Sequence, residues 1–361
     1  MVSIGFTNET IAVMVAAYAA MSVLMEVPSG VLADRWSRKG VLLLAAVCLT
    51  ISSIIGGFSH SVPIYIAAMV FWGFFDALAS GTDNAIIYDT LVEERGDAKD
   101  YEKEFGIYQS IGGVALLVAG IAGGVLGDQF GLRSDFFFTI PTTLAAGIII
   151  LLFRDSRAHH ESQETQLRKH LVDTFSAIFR NPNLIWIMVT MFAVSLANGL
   201  LGEMHQLWYI ALAAPVIFFG VAGSAINATW GFGGLLTRFF TSKRVMFAAL
   251  LTILVTAITL VFTRNIILIL AVQFVFMLLA NATWAALTGQ MHRQLPSRVR
   301  AGAGSAANTA MRLVNIPLVL FFGWVAHSHS IFTASWILVV LIVIALAAEL
   351  NSRFRKRPST I

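Results

Sequence analysis

The sequence predicts an all-α, polytopic membrane protein, and three observations predict it. Of the 361 residues, 57% are hydrophobic, while Lys, Arg, Asp and Glu together make up only 12%; a soluble globular domain carries about 25% charged residues. Apolar stretches of about 20 residues, the length that crosses a hydrocarbon core as a helix, recur from one end of the chain to the other. The basic residues crowd into every second loop between those stretches. This composition excludes a water-soluble enzyme, a nucleic-acid binder and a disordered chain. The single cysteine, Cys48, excludes an internal disulfide framework and a cysteine-based metal cluster.

Eleven spans are expected, at roughly 8–29, 40–59, 63–90, 104–127, 134–153, 184–208, 214–237, 245–263, 265–289, 302–325 and 331–350. They are too long for barrel strands, which run to about 10 residues of alternating pattern. The first lacks a basic leader segment, and its apolar run is too long for a signal peptide. Of the 24 Lys and Arg, only Arg133 and Arg264 fall in the loops after even-numbered spans, and only Arg312 lies inside a span. The remainder follow spans one, three, five, seven, nine and eleven. The positive-inside rule puts those loops and the C-terminus in the cytoplasm, with Met1 outside. The net charge of +4 is therefore a topology signal and not a nucleic-acid surface. A multi-pass protein of the cell (inner) membrane is expected, with the lipid bilayer as its solvent.

Between spans one and two stands Gly30-Val31-Leu32-Ala33-Asp34-Arg35-Trp36-Ser37-Arg38-Lys39, approached by Glu26-Val27-Pro28-Ser29. This resembles the signature loop of the major facilitator superfamily, G-x-L-a-D-r-x-G-r-[RK], with Ser37 in place of the second glycine. The resemblance implies two helical bundles related by an axis along the membrane normal. A degenerate copy should then recur half a chain later. Gly233-Gly234-Leu235-Leu236-Thr237-Arg238, followed by Lys243-Arg244, has the same spacing but lacks the Asp. The first half is shorter than the second ahead of its glycine by about one helix (~20 residues). The chain is thus expected to lack the family's first helix. The expected domains are an N-terminal bundle at 1–153, a cytoplasmic linker at 154–183, a C-terminal six-helix bundle at 184–350 and a basic cytoplasmic tail at 351–361. Within the linker, Leu167, Leu171, Phe175, Ile178 and Phe179 recur at helical spacing and read as an amphipathic helix on the inner face.

No catalytic motif is present: there is no P-loop, no G-x-S-x-G and no H-E-x-x-H. His327-x-His329 and His159-His160 have no carboxylate or cysteine companion at ligand spacing, so no metal, no cofactor and no enzymatic activity are expected. Ionisable residues inside spans are costly and mark pathways by default. Asp76, Ser80 and Asp83 in span three lie at i, i+4 and i+7, and Asn308, Arg312 and Asn315 in span ten repeat that spacing. Asp76 is about 20 Å from Pro63 along the helix. By the resemblance these spans are the family's fourth and eleventh helices, both cavity-lining. Asp76 or Asp83 would then take a proton and Arg312 hold an anionic group; an internal salt bridge is the alternative. Asn227-Ala228-Thr229-Trp230 and Asn281-Ala282-Thr283-Trp284 occupy the middle of spans seven and nine. Asn227 and Asn281 either bind substrate, with Trp230 and Trp284 stacking on it, or join helices. Glu26 either pairs with Arg35 or Arg38 or acts as a proton site.

The expectation is a secondary active transporter moving a small solute by alternating access, with proton-coupled efflux as its mode and a monomer as its state. By the resemblance, Gly30, Asp34, Arg35, Arg38 and Lys39 would gate the cytoplasmic side. Span four carries many glycines but not the G-P motif of the family's drug–proton antiporters, and span three lacks their Arg. The alternative is a transport-incompetent membrane protein, truncated or sensor-like, that keeps the facilitator fold.

Overall fold

The computed structural model describes residues 5–80, 82–95, 101–152, 182–240, 242–294 and 297–354. Eleven helices among them are long and apolar enough to cross a membrane, and the described residues hold no strand. The chain forms two compact units, Met1–Gln163 with Pro215–Ser224, and Glu164–Ala214 with Ala225–Ile361. Most of the linker and of the C-terminal tail expected from the sequence lies outside the described residues.

In the first unit the helices are α1 (Asn8–Arg35), α2 (Arg38–Gly57), α3 (Val62–Ala79), α4 (Thr82–Arg95), α5 (Tyr101–Phe130) and α6 (Ser134–Leu152). Their starts are written in hydroxyls. Thr7 and Thr10 form a reciprocal cap on α1, and Ser37 Oγ accepts from Gly40 N at 2.9 Å at the start of α2. Serine at the position where the signature motif has glycine therefore serves as an N-cap. Within the bundle, small residues let backbones approach. A Cβ on Gly73 of α3 would stand 2.7 Å from the Tyr18 carbonyl oxygen of α1. Gly56 and Gly57 of α2 make room for Phe136 and Phe137 of α6. Ser52 Oγ donates to Ala68 O at 2.7 Å, tying α2 to α3, and the Thr50 and Thr143 hydroxyls meet at 2.9 Å between α2 and α6. Gly120 and Gly124 of α5 lie against Gly220 and Ser224, where Ser224 Oγ donates to Leu117 O at 3.0 Å. This is the small-residue packing that replaces hydrophobic collapse inside a membrane.

In the second unit the helices are α7 (Pro182–Met204), α8 (Gln206–Ala211), α9 (Val216–Leu236, shared with the first unit), α10 (Lys243–Phe262), α11 (Ile266–Gln294), α12 (Ser297–Ser328), α13 (Ile331–Ala334) and α14 (Trp336–Phe354). Helix α7 packs on α11 and α14, and α10 packs on α11 and α14. A turn of 3₁₀ helix, Thr237–Phe239, follows α9.

Two expectations are corrected. Span three does not run to residue 90: α3 ends at Ala79 and α4 starts at Thr82. Ser80 is extended, with φ −58° and ψ 125°, and Thr82 Oγ1 donates back to Leu78 O at 2.8 Å across the break. Asp76, Ser80 and Asp83 thus do not share one face of one continuous helix. The signature segment is also not a loop in its first half. Helix α1 continues through Arg35, closed by Trp36 N–H on Leu32 O at 2.9 Å, and only Trp36 and Ser37 separate it from α2.

The Gly73 contact makes a test. Gly73→Val should lower the thermal unfolding midpoint of the detergent-purified protein by the equivalent of about 1–3 kcal/mol of overpacking. Gly147→Val, where an added Cβ meets nothing within 4 Å, should leave it unchanged.

Candidate functional site

The first unit has a carboxylate inside a span. Asp76 sits three residues before the end of α3, and Ser22 of α1, 1% exposed, donates its hydroxyl to Asp76 Oδ2 at 2.6 Å. The Gly73 contact one turn away sets that spacing, because α1 cannot come so close to a larger residue. An O–H···O contact of that length lies at the short end of the range for such bonds. Glu26 lies one turn beyond Ser22 on α1, at the last residue of the first membrane span, and its Oε2 is buried without a hydrogen-bond partner. The side chains of Asp83, Asp34 and Arg35 lie outside the described residues.

The rest of the signature segment acts on helix ends. Gly30 is exposed, and an added Cβ would meet nothing within 4 Å. Arg38 is half-buried at the start of α2. Lys39 Nζ donates to Leu151 O at 2.7 Å, placing a cation on the unsatisfied carbonyls at the end of α6. The second copy repeats the device. Ser242 Oγ accepts from Val245 N at 3.2 Å and so caps α10, while Lys243 Nζ reaches Ser352 O near the end of α14 at 3.5 Å. Gly233 of that copy has a packing reason that Gly30 lacks: its Cβ would stand 2.7 Å from Asn281 Cβ.

The second unit holds a chain of side-chain hydrogen bonds across three helices. Asn198 Nδ2 of α7 donates to Asn281 Oδ1 of α11 at 2.9 Å. Asn281 Nδ2 donates to Thr229 Oγ1 of α9 at 3.1 Å, and Thr229 donates to Ile226 O at 2.6 Å. The two Asn-Ala-Thr-Trp segments therefore meet, Asn of one to Thr of the other. Their other members diverge: Asn227 is exposed and Trp230 is 66% exposed, whereas Trp284 is half-buried. Asn315 on α12 lies against α7, its Oδ1 3.9 Å from where a Gly199 Cβ would stand. Asn315 Oδ1 and Asn198 Oδ1 are both buried without a hydrogen-bond partner. Arg312 is half-buried one turn before Asn315; the Asn308 side chain lies outside the described residues.

Sequence reasoning missed Ser22 and Asn198. Asn198 carried a signal, a lone amide between Ala197 and Gly199 in an apolar span, which marks a helix contact or a pathway. Ser22 carried none. Just past α7, His205 Nδ1 donates to Gly202 O at 2.7 Å, and burial outweighs that bond and holds the imidazole pKa below its ordinary value. Tyr209 of α8 donates to Gln273 of α11, which in turn donates to His205 O at 3.3 Å. Along α5 an open, shallow depression is lined by Ser110, Ile111, Val114, Ala115, Val118 and Ala119. Among the described residues no group of three His, Cys, Asp or Glu is placed to hold a metal ion.

Comparison with known proteins agrees with this architecture. The family model described as Major Facilitator Superfamily matches residues 1–316. The multidrug resistance protein MdtG of Citrobacter koseri is 25% identical over 209 residues, 58% of this chain and 49% of that protein. The class H tetracycline resistance protein of Pasteurella multocida is 21% identical over 247 residues, 61% of this chain and 58% of its own length. The chain thus spans about half the length of the curated relatives it matches. Among solved structures, a bacterial homolog of the human lysosomal transporter Spinster, inward-facing and occupied, aligns with a TM-score of 0.76 at 16% identity, over 97% of this chain and 90% of that one. The nucleoside transporter NupG aligns with a TM-score of 0.73 at 16% identity, over 98% and 93%. With the family model matching most of its length, the chain belongs to the major facilitator superfamily.

Proposed function

We propose that this protein is a secondary transporter that exports a small, largely apolar organic solute by alternating access, driven by protons taken up at Asp76. Membership of the superfamily supports transport, and the absence of a P-loop supports a gradient as the driver. Export is supported by the relatives, which are named for multidrug and tetracycline resistance. An apolar solute fits the depression along α5, where Ser110 is the one polar side chain.

The observation that carries the coupling is the Ser22–Asp76 bond. An ionised carboxylate inside a span persists only where a donor compensates it. Protonation of Asp76 removes the charge that holds the Ser22 hydroxyl, so α1 and α3 are held together more strongly in one protonation state than in the other. A proton gradient can act on such a difference. Arg312, a basic residue inside a span, would take an anionic group of the solute. Lys39 and Arg38 would set the cytoplasmic gate together with Asp34 and Arg35. Within this reading the protein works as a monomer in the cell membrane, C-terminus in the cytoplasm.

Two measurements test the reading. In a Cys48→Ala background, a cysteine replacing exposed His60 should react with an impermeant thiol reagent added outside, and one replacing exposed Gln294 should not. Equal labelling of both removes the orientation. Asp76→Asn in proteoliposomes should abolish pH-driven accumulation of solute while downhill exchange persists. Accumulation that still follows the imposed gradient removes Asp76 as the coupling site.

A further inference from the structure

The Asn198–Asn281–Thr229 chain has a direction. Thr229 Oγ1 and the Ile226 carbonyl oxygen stand 2.6 Å apart. Two oxygens at that distance need a proton between them, and a carbonyl brings none, so the threonine hydroxyl donates. Its lone pairs are left to accept, and the group it faces at 3.1 Å must be the amide nitrogen of Asn281. Asn281 therefore turns its oxygen toward α7, where only the nitrogen of Asn198 can satisfy it, at 2.9 Å. Asn198 is left presenting Oδ1 at the open end of the chain, buried and without a partner. Flipping one amide would set donor against donor or acceptor against acceptor. Thr229, two helices away, thus fixes which atom Asn198 offers.

A buried acceptor with nothing to accept is destabilising, because it has lost its water without gaining a partner. Asn315 Oδ1 is a second such atom, beside Gly199 and so at the same level of α7. Among the described residues of the second unit five buried side-chain atoms have no partner, and these two are the amide oxygens.

Resting on the reading of the chain as a transporter, we infer that Asn198 Oδ1 and Asn315 Oδ1 form a subsite for hydroxyl or N–H donors of the transported solute, with Thr229 as the positioning residue that sets its polarity. The solute class is an apolar body carrying at least one hydroxyl or amine N–H donor, beside any anionic group held at Arg312. Compounds of the same shape and charge with every donor methylated bind poorly, because the two carbonyl oxygens then stay unpaired.

The test uses matched pairs on the full-length protein in detergent. 2-Phenylethylamine is compared with its trimethylammonium counterpart, and phenyl β-D-glucoside with its tetra-O-methyl ether. Each pair keeps its ring and its charge and loses its donors. The wild type should bind each parent at least tenfold more tightly than its methylated partner. Asn198→Leu should erase that ratio. Thr229→Val, nearly isosteric and not in contact with the solute, should narrow it at least threefold while the protein still elutes as a single folded species; a merely structural role would lower stability and leave the ratio alone. Failure of both parents to bind, equal binding within each pair, or an unchanged ratio in Thr229→Val overturns the inference. Uptake of the same compounds into proteoliposomes is scored separately. Donor-selective binding without translocation leaves the subsite and removes the transporter reading, and translocation without donor preference does the opposite.

Discussion

Inside hydrocarbon there is no water to complete a hydrogen bond, and the rest of this structure depends on that constraint. Most polar side chains in the spans obey it locally. Thr50 donates to Ala46 O, Ser53 to Leu49 O, Thr190 to Trp186 O and Thr256 to Ile253 O. Others obey it between helices, as Ser52 and Ser22 do. Such contacts need helices that nearly touch, and glycine supplies the approach at Gly73 and at Gly233, where a Cβ would collide with the neighbouring chain. Against this background the few polar atoms left without a partner stand out, and Asn198 Oδ1 and Asn315 Oδ1 are two of them.

The same constraint acts on helix ends. The last carbonyls of a membrane helix have no partner within the helix. Lys39 and Lys243 bring an ammonium to the ends of α6 and α14, each from the first turn of a helix that a serine caps. A lysine at a helix N-terminus is opposed by the macrodipole there, and the gain at the neighbouring C-terminus offsets it. The two halves of the chain differ in the acidic residue of the motif but share this device. It gives Ser37-Arg38-Lys39 and Ser242-Lys243-Arg244 a structural purpose apart from gating.

Span positions were legible because hydropathy over about 20 residues averages out local detail. The break after Ala79 was not, since Ser80, Gly81 and Thr82 barely change that average, and the break is set by backbone angles at Ser80 and by one back-bonded hydroxyl at Thr82. The continuation of α1 into the signature motif was hidden for the opposite reason: a charged stretch reads as a loop, although Gly30 to Arg35 contain nothing that stops a helix. The two Asn-Ala-Thr-Trp segments show the limit most clearly. Identical in sequence, they place Asn281 in a buried network and Asn227 on an exposed face. Which face of a helix meets a neighbour is decided by the neighbour, so the partner of Asn281 could not be read from its own span. Asp76 was legible as a carboxyl within a span, whereas Ser22, one hydroxyl in an ordinary helix, became visible only with α1 laid against α3.

The central claim is that the paired amide of Asn281 holds the fold while the unpaired oxygens of Asn198 and Asn315 serve the solute. Thermal unfolding and solute transport, measured together on Asn281→Leu and Asn315→Leu, test it most directly. Asn281→Leu breaks a satisfied chain and should cost about 1 kcal/mol of stability. Asn315→Leu removes an unsatisfied acceptor, so it should leave the unfolding midpoint unchanged or raise it, while transport falls at least tenfold. An Asn315→Leu protein that loses stability yet transports at the wild-type rate would contradict the account.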